Sequence, residues 1–332
     1  MRLRWPAFAV LIVALAAACA KDPRQAYEKQ AALGFLFEER PFHLECADWP
    51  PKPPPPGQRS FGIVTAYPRA AYSLSRFEAL ELPKAYAPSL TFVTEPANIL
   101  DISIQGSDEH DWELRFCAQG DGDSVDEARG YLDKVSLKRL GSLVTLDGGG
   151  IAPSPSAGGR AYLIGGCGHL VVDAPDSAPI TVHSLYGPIE VHDMAGPVRL
   201  SAPRARVSVL NTTGTVDAQG FVIDFAGSKG TVSLNATTET NIKITGLQFQ
   251  GTLSAYASRE VRILVPRGFQ GPIEAIVAQP KNLICRADFC ARMQKTRVNG
   301  WYSFTFMKGG SDPANKVGLH SEFSNVVIDN AP

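Results

Sequence analysis

The sequence predicts an all-β chain, a parallel β-solenoid with two short strands per turn, preceded by a small β-β-α-β unit that carries one amphipathic helix. Three observations predict it. Apolar-x-apolar triplets begin at intervals of nine at Ile180, Ile189, Val198, Val207 and Val216. Gly-Pro or Gly-Thr pairs stand before many such triplets, as at Gly187-Pro188, Gly196-Pro197, Gly214-Thr215 and Gly251-Thr252. Glycine and proline, 30 and 25 of 332 residues, exceed the share of roughly 12% usual in globular chains, so turns are frequent and strands short.

Residues 1–18 read as a signal peptide. Arg2 and Arg4 precede an apolar run from Trp5 to Ala18, and Ala16-Ala17-Ala18-Cys19 supplies small residues at the cleavage point. The run of 14 residues is shorter than the about 20 that span a bilayer. Leu15-Ala16-Ala17-Ala18-Cys19 also resembles the lipobox of bacterial lipoproteins, with Leu one position further from the cysteine than usual. That resemblance implies lipidation of Cys19, and Ala20 after it implies the outer membrane. Ordinary cleavage after Ala18 or Ala20 is the alternative and gives a periplasmic or secreted chain.

Residues 19–60 read as a tether. Asp22-Pro23 is a helix start, Ala26 to Leu33 has helical spacing and Gly34 ends it. Pro50 to Pro56 holds six prolines in seven residues, which favours an extended polyproline spacer. Residues 61–160 hold the β-β-α-β unit that caps the solenoid. Leu100, Ile102 and Ile104 alternate with polar residues, as do Trp112, Leu114 and Phe116. Ser124-Val125-Asp126-Glu127 is a capping box, followed by Val125, Ala128, Tyr131, Leu132 and Val135 on one helical face. Leu143 to Leu146 returns to strand, and the Gly/Pro/Ser-rich stretch from Gly148 to Gly159 breaks the chain.

Residues 161–280 form the repeat array. An up-and-down antiparallel barrel or sandwich competes with the solenoid, but the constant short spacing favours stacking, because hairpin strands vary more in length. Five or six turns at about 4.8 Å each make a rod roughly 25–30 Å long. One nine-residue unit buries too little to fold alone, so the open ends need covers. Residues 281–332, with strand-like Trp301 to Phe306 and Val326 to Asp329, are the C-terminal cap.

An exported chain with a β-β-α-β unit from Ile102 to Leu146, including Asp126-Glu127-Ala128, and then Gly-x-Ile/Val-x-Val strands resembles the bacterial putative-adhesin repeat family, a domain of unknown function. Val261-Arg262-Ile263-Leu264-Val265-Pro266-Arg267-Gly268-Phe269 looks like that family's last strand and its Pro-x-Gly-Phe turn. The likeness covers about residues 95–280. It implies a right- or left-handed single-stranded β-helix on an envelope protein, with no established activity and no catalytic residues to carry over.

Charge and cysteines bound the function. The net charge of −1 becomes −3 once Arg2 and Arg4 leave with the signal, which gives no footprint for nucleic acid and no polybasic membrane surface. Membrane contact is expected through the N-terminal lipid alone. Cys285 and Cys290 are spaced to close a small disulfide loop, and Cys46 with Cys117 would pin the tether to the domain after it. A zinc site would want a second Cys or His pair at short spacing, and the sequence has none.

The central residue of each triplet points outward, so Thr181, Arg199 and Asp217 stack on one face, with Arg199 beside Asp217 as a ladder pair, and Glu190 with Ser208 on another. Most of this is a solvated sheet face. His183 and His192 fall on different faces and form no metal pair. Asp121-Gly122-Asp123 with Asp126 has calcium-loop acidity without the terminal Glu, and helix-start acidity accounts for it. No Gly-x-Ser-x-Gly, His-Glu-x-x-His or phosphate-loop motif occurs in the sequence, and no cofactor is expected. The expected function is a non-enzymatic envelope lipoprotein whose β-helix binds or scaffolds glycans or envelope proteins. The alternative is a carbohydrate-active lyase or hydrolase on the same fold.

Overall fold

The computed structural model describes residues 72–94, 100–108, 111–122, 124–148, 151–154, 162–307 and 314–331. The signal segment, Cys19, the tether helix, the proline run and Cys46 lie outside them. The chain is all-β with one α-helix among the described residues, and its large sheet is mostly parallel.

Two ladders run through that sheet. The first, ladder A, joins β2 (Leu90–Thr94), β9 (Ile180–His183), the first halves of β11 (Val198–Leu210), β12 (Thr215–Gly227) and β13 (Lys229–Ile244), and then β14 (Gln250–Ala257). The second, ladder B, joins β3 (Leu100–Ser107), β10 (Ile189–His192), the second halves of β11, β12 and β13, and then β15 (Glu260–Val265). All these pairings are parallel. Ile180 pairs with Val198 and Val198 with Val216 in ladder A, while Ile189 pairs with Val207 and Val207 with Ile223 in ladder B. Alternating triplets along the chain therefore belong to alternating ladders.

The expected three-residue strands are longer here. β11, β12 and β13 run 13, 13 and 16 residues, because the chain stays extended through the bend from ladder A to ladder B and only slips register there, between Ala202 and Arg206 and between Gly220 and Val222. The return bend is sharper. Asp193 and Asn211, at equivalent positions of successive repeats, both take φ 55°, a left-handed conformation that Asp and Asn tolerate better than most residues. Each return to ladder A then passes close over the preceding repeat. At Gly251, φ is 109° and a Cβ would lie 2.3 Å from the Gly230 carbonyl oxygen, which is the physical reason for the Gly-Thr pair.

Alternation does the rest. Val198, Leu200, Val207, Val209, Val216, Ala218, Ile223 and Phe225 point inward, are buried and belong to one hydrophobic cluster shared by both ladders. This cluster is where most of the apolar burial that stabilises the fold resides.

The N-terminal unit covers one end. β4 (Asp111–Gly122) pairs antiparallel with β1 (Tyr72–Pro83) and with β8 (Tyr162–Pro175), and β8 pairs parallel with β3. β5 (Ser136–Leu140) and β6 (Leu143–Asp147) form a hairpin on β2. The helix α1 (Val125–Leu132) begins at Ser124, whose Oγ accepts the Glu127 N–H at 3.2 Å. It lies so close to β4 that a Cβ at Gly120 would meet the Ala128 carbonyl oxygen at 2.1 Å.

The predicted helical face is narrower than expected: Ala128 and Leu132 are buried, Val125 is exposed, and the buried Val135 follows the helix rather than belonging to it. The expected break from Gly148 to Gly159 contains one short strand among its described residues. β7 (Ile151–Ser154) pairs antiparallel with the glycine-rich β8, whose Gly168 fits where a Cβ would lie 2.8 Å from Leu100 and Phe116 side-chain atoms. In β8, Gly168 thus serves packing rather than a turn.

At the other end, β16 (Ile273–Val277), β17 (Leu283–Cys285), β18 (Gln294–Val298) and β19 (Trp301–Phe306) follow β15 in the chain. Phe289 stacks on Phe306 with centroids 4.4 Å apart and packs at 6.2 Å from Phe269. The final strands, β20 (Lys316–Ser321) and β21 (Val326–Asn330), are not at this end. β20 pairs with β14 on one side and β16 on the other, and β21 with β15 and β17. The outer strands of ladder A, β5 and β18, each carry two exposed cations, Lys138 and Arg139 on one and Lys295 and Arg297 on the other. Like charges at both edges disfavour edge-to-edge growth.

Candidate functional site

Outward residues of the two ladders have different fates. On ladder B, Asp224 is 5% exposed and Asn241 fully buried, although both stand at outward positions. Asp224 is ion-paired with Arg206, and its Oδ1 accepts from Asn241 Nδ2 at 3.0 Å. Ladder A instead presents Arg199, Asp217, Ser233 and Ser254 exposed to solvent. It is the face that presents its outward side chains to solvent.

Register turns that face into rows. Thr215, Thr231, Thr252 and Lys316 are successive partners in the first. Thr91, Thr181, Arg199, Asp217, Ser233, Ser254, Gly318 and Glu274 follow one another in the second. The third runs His183, Ser201, Gln219, Asn235, Tyr256 and His320. Neighbouring strands lie about 4.8 Å apart, so hydroxyls and amides repeat at that spacing along each row.

The residues singled out from sequence sit as follows. Thr181, Arg199 and Asp217 are register partners on ladder A; Arg199 and Asp217 are both exposed and form no ion pair with each other. Glu190 and Ser208 are partners on ladder B. His183 lies on ladder A and His192 on ladder B. Cys285 and Cys290 are disulfide-bonded with Cα atoms 5.7 Å apart. Cys117 is also disulfide-bonded, while Cys46 is outside the described residues, as are the side chains of Asp121 and Asp123. Among the described residues no group of three or more His, Cys, Asp or Glu is arranged to hold a metal.

One part of the face was not legible in the sequence. Where the third row meets the C-terminal hairpin, His320 is held edge-on between two aromatic rings, Tyr256 at 5.3 Å and Trp301 at 4.9 Å between centroids. The Tyr256 hydroxyl donates to Glu322, a bond that raises the tyrosine pKa because it holds the proton on the phenol. Burial lowers the His320 pKa by disfavouring the charged ring, against the opposing pull of Glu322. Beside it, Lys316 pairs with Glu274, whose other donor is Ser303 Oγ at 2.9 Å. Lysine above all holds the Glu274 carboxyl below its ordinary range. The cluster joins residues from four strands, β14, β16, β19 and β20, which is why spacing gave no sign of it.

The result is a polar sheet face with an aromatic group toward one end. Hydroxyls and amides donate and accept, and ring faces receive apolar C–H surfaces.

No family model matches the chain, and no curated protein matches it. Among solved structures, it is similar to a putative cell adhesion protein from Clostridium sporogenes ATCC 15579, with 9% identity over 78% of this chain and 100% of that one at a TM-score of 0.29. It is also similar to putative adhesins from Bacteroides fragilis NCTC 9343, with 6% identity over 79% and 99% of the two chains at 0.28, and from Parabacteroides merdae ATCC 43184, with 8% identity over 79% and 97% at 0.28. At these scores the likeness bears on neither ligand nor activity.

Proposed function

We propose that the chain is a non-enzymatic cell-envelope module, a β-solenoid with two strands per turn that binds or holds glycans or envelope proteins across the outward face of ladder A. The 18-residue steps from Ile180 to Val198 and from Ile189 to Val207 support the winding, since consecutive triplets alternate between two parallel ladders. The observation that carries the function is the set of aligned rows on that face, with exposed Thr215, Asp217, Gln219, Thr231, Ser233 and Asn235 in neighbouring strands.

Such a surface favours a ligand that itself repeats. Each neutral hydrogen bond exposed to water contributes little, about 0.5–1.5 kcal/mol, so useful affinity needs many in register. A polysaccharide or a strand-rich envelope protein offers that; a small solute does not. Tyr256 and Trp301 add ring surface where the rows end. Cys19 as lipid anchor and residues 19–60 as tether complete the reading, placing the module at the outer membrane, or in the periplasm without the lipid.

Binding of the purified protein to an array of glycans and envelope components tests this. Thr231→Lys, Ser233→Lys and Asn235→Lys together should abolish the signal while leaving unfolding unchanged. Binding that survives those changes would remove ladder A from the proposal. Membrane fractionation of Cys19→Ala tests the anchor: a chain that stays with membranes is not held by that lipid.

A further inference from the structure

Each return from ladder B to ladder A passes through a glycine, and these glycines stack. A Cβ at Gly230 would lie 2.6 Å from the Gly214 carbonyl oxygen, and one at Gly251 would lie 2.3 Å from that of Gly230. Close backbone contact explains why they are glycines. Their lack of side chains also shapes the surface. With exposed residues on both sides of the column, the entries to β11, β12, β13 and β14 form a groove of about 540 Å³. It crosses the strands instead of following one, and four strands at steps of about 4.8 Å make it roughly 14 Å long.

Thr215 and Thr231 are register partners on one side of the glycines, in the first row of ladder A. Lys229 and Gln250 are partners on the other side, with Thr213 in the equivalent place one repeat earlier. All five are exposed. Main-chain donors here are already used: the N–H of Thr213 donates to Met194 at 2.8 Å, of Thr231 to Gly214 at 3.3 Å, of Gln250 to Ser228 at 2.8 Å and of Gly251 to Asn315 Oδ1 at 2.7 Å. These donors are not open to a peptide strand laid in the groove, so recognition falls to hydroxyls, one amide and one ammonium. Lys229 is the one charged residue that lines the groove, and no described acid pairs with it.

We propose that this groove binds a linear acidic glycan running along the stack, with Lys229 on a carboxylate and the flanking Thr and Gln side chains on ring hydroxyls. The inference rests on the reading that glycans are held on the ladder A side of the module, and it adds their charge and their course. A pyranose ring in an extended chain advances by about one strand spacing, so the groove holds about three sugars. A water-exposed ammonium contributes little to a single carboxylate. A chain with an acid on every sugar always presents one to Lys229, while its neighbours' hydroxyls meet Thr213, Thr215, Thr231 and Gln250. No lining residue repels the acid.

Isothermal titration calorimetry of the purified protein at low salt tests this with two β-1,4-linked tetrasaccharides, tetramannuronate and cellotetraose, of which the second has no carboxylate. Tetramannuronate should bind about fivefold more tightly, and added salt should shrink that preference by screening. Lys229→Glu should abolish the preference. Thr213→Trp, which fills the groove from an exposed position, should weaken both sugars several-fold with Tm unchanged; if it lowers the Tm, Thr213→Val, which removes only the hydroxyl, is read in its place. Ser233→Ala with Asn235→Ala, on ladder A outside the groove, should change neither affinity. Equal affinity for the two sugars, or a preference that survives Lys229→Glu, overturns the acid recognition. Weakening by the Ser233 and Asn235 pair but not by the Thr213 variant overturns the groove and leaves the rows of ladder A standing. No binding of either sugar overturns this proposal alone, because the array of glycans and envelope components decides the wider reading separately.

Discussion

Val207→Asp probes the repeat directly. Val207 is fully buried in the inward row of ladder B, between Ile189 and Ile223. The substitution removes about 1.5–3 kcal/mol of apolar burial. An ionised carboxylate at that place adds several kcal/mol of desolvation with no partner in the row. The sum, about 5 kcal/mol or more, matches much of the roughly 5–15 kcal/mol that holds ordinary domains folded. Urea unfolding followed by circular dichroism at pH 7 should show the cooperative transition lost or moved to far lower urea. Arg199→Asp, at an exposed position of ladder A, should stay within about 0.5 kcal/mol of the parent. Because burial raises the pKa of the new aspartate, its penalty grows as pH rises and shrinks in acid, so part of the loss should return near pH 4. A normal transition for Val207→Asp at pH 7 would refute the inward assignment and with it the nine-residue register.

Other outcomes follow from single contacts. Gly251→Ala forces a β-carbon into a conformation at φ 109° and onto a carbonyl oxygen; conformational strain alone should cost about 1–3 kcal/mol, read as a lower Tm. Arg206→Ala strands the buried Asp224 carboxylate and should cost about 3–5 kcal/mol, whereas the exposed Arg204→Ala should be near neutral in the same thermal scan. Burial lowers His169 to about 4, below its unfolded value of about 6.5. The unfolded chain therefore takes up the proton first, and stability is full above about pH 6.5 and falls by roughly 3 kcal/mol toward pH 4; His169→Gln should flatten that part of the pH profile. Cutting the Cys285–Cys290 loop with Cys285→Ser and Cys290→Ser should cost about 2 kcal/mol by loop entropy, and added reductant should then lower the Tm by less than it does in the parent.

The array was legible because its signal is local. A triplet such as Val198-Arg199-Leu200 states by alternation which side chains go in, and repetition at nine states that the units are alike. The Ser124 cap and the β3 and β4 alternations were legible for the same reason. β1 was not, since Arg76 and Glu78 interrupt its alternation while pairing with each other at 2.8 Å. β7 was hidden by Pro153, and β8 by its run of glycines, of which Gly168 makes room for Leu100 and Phe116.

The sequence by itself determined the all-β class, the inward row of apolar residues, and the glycines at which the chain returns over itself. Tertiary structure alone decided which outward face meets solvent. Asp217 and Asp224 occupy like positions in their repeats, yet one is exposed and the other buried, because alternation fixes the side of the strand and not what lies over it. Tertiary structure alone also placed the last two strands. Val317-Gly318-Leu319 and Val326-Val327-Ile328 read like any other pair of triplets, and their position between β14–β15 and β16–β17 is set by pairing with strands distant in the chain.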